Sequence, residues 1–284
     1  MNRWIIGTRP RTLSAAVIPV IVGTAAADVE IIWWRAIAAF LVALFLQIAT
    51  NFSNDYSDGK RGVDSEERLG PVRLVGSGLA KPYEVKRAAF LFFALAAIVG
   101  AILSLIVNPW LLLLGLASIA AGWFYTGGVR PYGYRGFGEI SVFVFFGLGA
   151  TLGSCYVQSG ELNGLSFLVS VSVGLMSCAL LEINNLRDIV GDKNSGKLTL
   201  AVLLGDRRTR ILYVFFIDAS LIIGSLAVFT KPWTVLIMIA GIVAFPAVKS
   251  VLDGATGTEL IVVLKQTSKV QITAGVFLTL GLAI

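Results

Sequence analysis

Five aspartates in two short stretches carry the chemistry open to this chain. Residues 51–64 read NFSNDYSDGKRGVD and supply Asp55, Asp58 and Asp64; residues 184–192 read NNLRDIVGD and supply Asp188 and Asp192. The stretches resemble each other, since Asn54 and Asp58 are four residues apart, as are Asn184 and Asp188. Each follows an apolar run. An ionisable group at membrane depth costs about 2.5–3.5 kcal/mol even on the mildest insertion scale, so it usually marks a function. Clustered carboxylates repel unless a cation neutralises them. The chain has no histidine, which leaves oxygen ligands and points to Mg2+ or Mn2+. Mg2+ favours one or two carboxylates plus phosphate oxygens over an all-protein cage. Lys60, Arg61, Arg73, Arg130, Lys193 and Lys197 lie among or near the acids and can grip phosphate oxygens. The pattern predicts a diphosphate held between metal and cations at the mouth of an apolar cavity. An amphiphile with a diphosphate head and a hydrocarbon tail fits both parts.

Composition names the elements that must position these groups. Of 284 residues, 56% are hydrophobic and 14% charged, against about 25% charged in soluble domains. The mean hydropathy is +0.83. This is the profile of an all-α polytopic membrane protein, read as one domain over residues 1–284. Arg9, Pro10 and Arg11 precede the first apolar run with no small-residue cleavage site, so no signal peptide is expected. Cys155 and Cys178 sit in apolar runs and suit packing better than a disulfide or metal site. A spanning helix needs about 20 apolar residues, and nine segments qualify: 12–28, 32–54, 85–107, 109–126, 138–159, 163–186, 207–229, 232–250 and 267–284.

Charge orients them. All basic residues except Arg35 and Lys231 fall on one side of this nine-span arrangement. Basic loops stay cytoplasmic, so the N-terminus and both acidic stretches are expected at the cytoplasmic face. The two long loops, after the second and sixth spans, are attached to the acidic stretches and read as lids.

On the second span Gln47, Asn51, Asn54, Asp55 and Asp58 share one helical face. A polar face of a membrane helix points into the bundle. On the sixth, Glu182 and Asn185 share one face, and Asn184, Asp188 and Asp192 another. The carboxylates would meet if the two helices pack together. Outside the motifs, Glu139 and Asp218 read as partners inside the bundle.

NDYSDGKRGVD and NNLRDIVGD resemble the two aspartate-rich motifs of the UbiA-type intramembrane prenyltransferases, and the resemblance covers essentially the whole chain. It implies nine helices around a central cavity, with the motifs after helices 2 and 6, and an isoprenyl diphosphate bound through Mg2+. RPRTLSAAVIPVIVGTA, GPVRLVGSG, YTGGVRPYGYRGFGE and RDIVGDKNSGKLTLAVLLG are similar to the branch that acts on 1,4-dihydroxy-2-naphthoate. The wider family spaces its first motif N-D-x-x-D-x-x-x-D; here Gly62 takes the last position and Asp64 follows two residues later, as in that branch. By this resemblance Asn54, Asp55, Asp58, Asp64, Asp188 and Asp192 match the metal and diphosphate positions. Tyr125 and Arg130 stand where the family carries a tyrosine and a basic diphosphate contact.

The implied reaction is prenyl transfer to the naphthoate with loss of CO2, yielding a menaquinone precursor. Asp58, Asp188 and Tyr125 are expected to carry it, with Tyr56 or Tyr125 offering an aromatic face to an allylic cation. Arg73 or Lys60 would orient the acceptor's carboxylate. A phytyl transferase of phylloquinone synthesis would use the same motifs. A transporter or flippase for an anionic amphiphile is the rival from another class, but its acids belong near the bilayer midplane, where only Glu182 leans.

Overall fold

The structure is a computed structural model that describes residues 2–63 and 72–284. Asp64 lies outside the described residues. All regular structure within them is helical: α1 (Arg3–Thr8), α2 (Ser14–Ala26), α3 (Trp33–Lys60), α4 (Pro82–Val107), α5 (Leu111–Phe124), α6 (Gly138–Ser159), α7 (Gly164–Asn194), α8 (Leu200–Leu204), α9 (Asp206–Phe229), α10 (Pro232–Leu252) and α11 (Gly257–Ala283). Six of them, α3, α4, α6, α7, α9 and α10, are long and apolar enough to cross a membrane, while α2 and α5 are apolar but shorter. Side chains such as Ile98, Leu105, Leu116 and Ile242 are exposed on these helices, as expected of surfaces that meet lipid. The chain is an integral membrane protein.

Several boundaries differ from the apolar runs, for one physical reason. Hydropathy ends where polar residues begin, but a helix ends where the backbone is broken or capped. α3 continues through the first acidic stretch to Lys60, and the first glycine beyond it with left-handed backbone is Gly62, φ 70°. α7 likewise runs through the second stretch to Asn194, with Gly196 at φ 74° just beyond. The acids therefore ride on the last turns of two long helices instead of following them. α11 starts at Gly257, ahead of the expected 267, because Thr256 and Glu259 form a capping box there. Lys265 and Lys269 lie on this helix.

Packing divides the bundle. One core joins α2 to α7 and α9–α11 through residues such as Val22, Ile183, Tyr213 and Leu278. A second joins α3, α4 and the descending loop through Ile48, Phe52, Leu74 and Val85. α2 lies against both α3 and α7, whereas α3 packs chiefly on α4 and α7 on α9. So α3 and α7 are not packed along each other, contrary to the direct contact considered for the acidic helices. Small residues allow the closest approaches. A Cβ on Gly23 of α2 would stand 2.1 Å from the Thr151 carbonyl oxygen of α6. Gly147, in a π-helical turn of α6 (Phe143–Gly149), faces Gly174 of α7 in the same way, at 2.5 Å. Asp218 is exposed on α9 and does not pair with Glu139 inside the bundle.

Candidate functional site

The end of α3 is fixed from three directions. Asp55, buried, accepts the backbone N–H of Leu74 at 2.9 Å and of Val75 at 3.1 Å. Both its oxygens therefore hold the returning loop. Asn51 donates to the Thr8 carbonyl at 2.9 Å, and Arg9 donates to the Asn51 carbonyl at 3.3 Å. Gln47 donates to Asn51 Oδ1 at 3.4 Å. Asn51 thus seats the N-terminal segment, and Gln47 braces Asn51. That segment also packs directly, since Gly7 lies against Phe52 and Leu74.

The remaining polar groups of α3 turn toward the loop between α5 and α6. Asn54 Oδ1 accepts the Thr126 hydroxyl at 2.8 Å. Asp58, 2% exposed, accepts the Tyr134 hydroxyl at 2.5 Å, and Arg73 Nη2 stands 4.0 Å from its other oxygen. Arg61 donates to the carbonyls of Thr126 and Gly128 and lies over the Tyr134 ring, 5.3 Å from its centroid.

The end of α7 reaches the same loop. Asp192 is 3.6 Å from Lys197 Nζ, and that ammonium is 5.4 Å from the Tyr134 ring centroid. Leu198 donates its N–H to the Tyr134 carbonyl at 3.1 Å. One tyrosine therefore touches both acidic halves: its hydroxyl holds Asp58, and its ring meets Arg61 and Lys197. Asp188 is clasped by the adjacent Arg187, whose Nε and Nη2 donate to its two oxygens at 2.8 and 2.7 Å. Asn184 donates back to its own helix at Leu180. Asn185 donates to Glu139 Oε1 at 2.8 Å, beside a fully buried Glu182.

Tyr125 stands between these groups. Its hydroxyl abuts Gly138, and its ring meets Tyr132 edge-on at 5.5 Å. Burial raises its pKa well above the ordinary phenol value, and the negative charges of Glu139, Asp192 and Asp58 add to the effect. Tyr134 is raised for the same first cause and then by Asp58. Both phenols keep their protons, and Tyr134 gives its proton in a hydrogen bond to Asp58. Tyr56 stacks on Trp123 at 6.3 Å with Lys86 5.8 Å from its ring. Lys60, Arg130 and Lys193 are exposed.

Each acid is thus balanced by a cation of the chain: Asp58 by Arg73, Asp188 by Arg187, Asp192 by Lys197. Among the described residues no three acidic, cysteine or histidine side chains converge as a metal cage. The donor set still fits Mg2+, which prefers few carboxylates and completes its shell with phosphate oxygens. An open groove of about 440 Å3 lined by Phe245, Lys249, Asp253 and Glu259 lies at the α10–α11 turn, away from the motif residues. Tyr134, Thr126, Arg9 and Arg187 were not singled out as site residues by the sequence. The PYGY run holding Tyr134 was visible, but no spacing rule joins it to aspartates on two other helices.

The sequence profile described as the UbiA prenyltransferase family matches residues 16–259. The chain is 46% identical over 267 residues to the 1,4-dihydroxy-2-naphthoate octaprenyltransferase of Mycobacterium tuberculosis, covering 93% of this chain and 91% of that protein. It is 39% identical over 232 residues to the Escherichia coli enzyme of the same name, covering 77% and 74%. Its fold is similar to the solved structure of a UbiA homolog from Archaeoglobus fulgidus bound to GPP and Mg2+, with TM-score 0.73 and 15% identity over the whole of both chains. The apo UbiA homolog from Aeropyrum pernix K1 gives the same TM-score at 16% identity, over 93% of this chain and 96% of that one.

Proposed function

This chain belongs to the UbiA prenyltransferase family, and we propose that it transfers a polyprenyl chain from its diphosphate to 1,4-dihydroxy-2-naphthoate, with loss of CO2, in menaquinone biosynthesis. The similarity to naphthoate prenyltransferases over nearly the full chain supports the substrate class. The observation that carries the site is the link from Asp58 through Tyr134 and Lys197 to Asp192. It joins the two acidic stretches through side chains that include both the carboxylates and the cations a metal–diphosphate would need.

Asn54, Asp58, Asp188 and Asp192 would hold a divalent cation, Mg2+ or Mn2+, with Asp64 completing the first motif. Such a cation would supply charge neutralisation for the departing diphosphate. Arg73 and Lys197, which face Asp58 and Asp192, would meet the phosphate oxygens. Asp55 keeps the loop over the site, and the N-terminal segment closes beside it, so water is kept from the allylic cation as the C–O bond breaks. Tyr125 offers its face to that cation. The electron-rich ring then forms the new C–C bond, and loss of CO2 restores aromaticity. The basic loops support a site opening to the cytoplasm.

The experiment is an acceptor panel. Purified protein with Mg2+ and radiolabelled prenyl diphosphate should label 1,4-dihydroxy-2-naphthoate and leave 4-hydroxybenzoate and homogentisate unlabelled. Labelling of 4-hydroxybenzoate with none of the naphthoate would overturn the assignment.

A further inference from the structure

The acceptor proposed above is an anion, and its carboxylate must be met by a cation with donors to spare. Lys60 is exposed at the surface, and Arg73 stands over Asp58. Arg61 is committed to two carbonyls and the Tyr134 ring. Lys197 is committed to Asp192 and the same ring. Arg187 differs. Its side chain is 3% exposed, and Nε and Nη2 are taken by Asp188. Its Nη1 is buried with no hydrogen-bond acceptor.

A guanidinium is always charged and carries five N–H donors in a rigid fork. Leaving one end of it buried and unmatched is costly, and such orphaned donors are rare in native structures. A carboxylate oxygen would satisfy those hydrogens with a charge-assisted bond, stronger than one to water. Place matters as much as chemistry. Through its clasp on Asp188, the guanidinium sits within hydrogen-bond distance of a carboxylate assigned to the metal–diphosphate motif. The acceptor's ring must come to the allylic carbon beside that diphosphate, so both substrates meet at this residue.

We infer that Arg187 is the receptor for the carboxylate of the aromatic acceptor, binding it through Nη1 while Nε and Nη2 hold Asp188. One residue then couples acceptor binding to the orientation of a motif aspartate. The inference rests on the acceptor being a hydroxynaphthoate.

The test uses two probes that differ only in the carboxylate, 1-hydroxy-2-naphthoate and 1-naphthol. Binding to the full chain in detergent is read as thermal stabilisation, which needs no turnover, and as competition against the acceptor. The wild type should prefer the carboxylated probe by about tenfold or more, since a buried charge-assisted hydrogen bond is among the stronger ones. In Arg187→Gln that preference should fall to about twofold or less, and Arg187→Lys, which keeps the charge without the fork, should restore part of it. A preference retained in Arg187→Gln would overturn the inference. So would a retained preference accompanied by a large rise in the half-saturating prenyl diphosphate, which would give Nη1 to the diphosphate. A wild type that binds the carboxylated probe tightly but prenylates no hydroxynaphthoate would instead break the functional reading beneath it.

Discussion

Tyr134 and Asp58 lie 76 residues apart in sequence, and the phenol of one donates to the carboxylate of the other at 2.5 Å. The same ring is 5.4 Å from Lys197, which faces Asp192. α3 and α7 are separated, so this tyrosine does what direct helix packing does not: it sets the distance between the two acidic stretches.

Removing only the hydroxyl tests that role. Tyr134→Phe keeps the ring that meets Arg61 and Lys197 but frees Asp58 to rotate. Groups that orient metal ligands typically matter by about 10–100-fold in affinity or activity. The half-saturating Mg2+ concentration for prenyl transfer should rise by about tenfold, with the melting temperature little changed.

Asp55 should behave differently from Asp58, although the two are neighbours in one motif. Its oxygens accept two backbone N–H groups, so Asp55→Asn turns an amide donor toward a donor. Such a mismatch costs about 1–3 kcal/mol. The variant should melt earlier and be cleaved faster by protease in residues 72–81, while its Mg2+ half-saturation stays near the wild-type value. A raised Mg2+ requirement without loss of stability would return Asp55 to the metal ligands.

The Tyr134 phenol is raised above its ordinary value by burial and then by Asp58. The folded state therefore holds this proton where the unfolded chain, near pH 10, has begun to release it. Its contribution to stability is fully present below about pH 10 and is lost as pH climbs from there toward the folded value. Melting temperatures from pH 8 to 11 should show the wild type declining above pH 10 more steeply than Tyr134→Phe. Parallel curves would remove Tyr134 as the cause.

Close helix contacts give a prediction independent of the chemistry. A Cβ at position 23 would press on the Thr151 carbonyl, a backbone atom that cannot swing aside. Gly23→Ala should lose about 1–3 kcal/mol, as overpacked cores do, seen as a lower melting temperature in detergent. Gly115→Ala, with open space around it, is the matched control and should be neutral.

How far the sequence led can be judged from single residues. The helical class and the acids at one end of two long helices were legible because hydropathy and charge are local properties of the chain. Helix ends were less so: nothing in NFSNDYSDGK breaks a helix before Gly62, so polarity was mistaken for termination. The division of labour inside the first motif was not legible at all. Asp55 and Asp58 are three residues apart with the same side chain, and only the arrival of Leu74 and Val75 on one and Tyr134 on the other separates them. Arg187 is one basic residue among many to charge counting, which does not see the burial its clasp on Asp188 depends on.

The central claim is that the two acidic stretches form one metal–diphosphate site. It is tested most directly by counting Mn2+ bound to the full chain by electron paramagnetic resonance, with inorganic pyrophosphate present. Asp58→Asn alone and Asp188→Asn alone should each abolish most of the pyrophosphate-dependent Mn2+ uptake of the wild type, and prenyl transfer with it. Undiminished uptake and near-normal transfer under saturating Mg2+ in either variant would contradict the account.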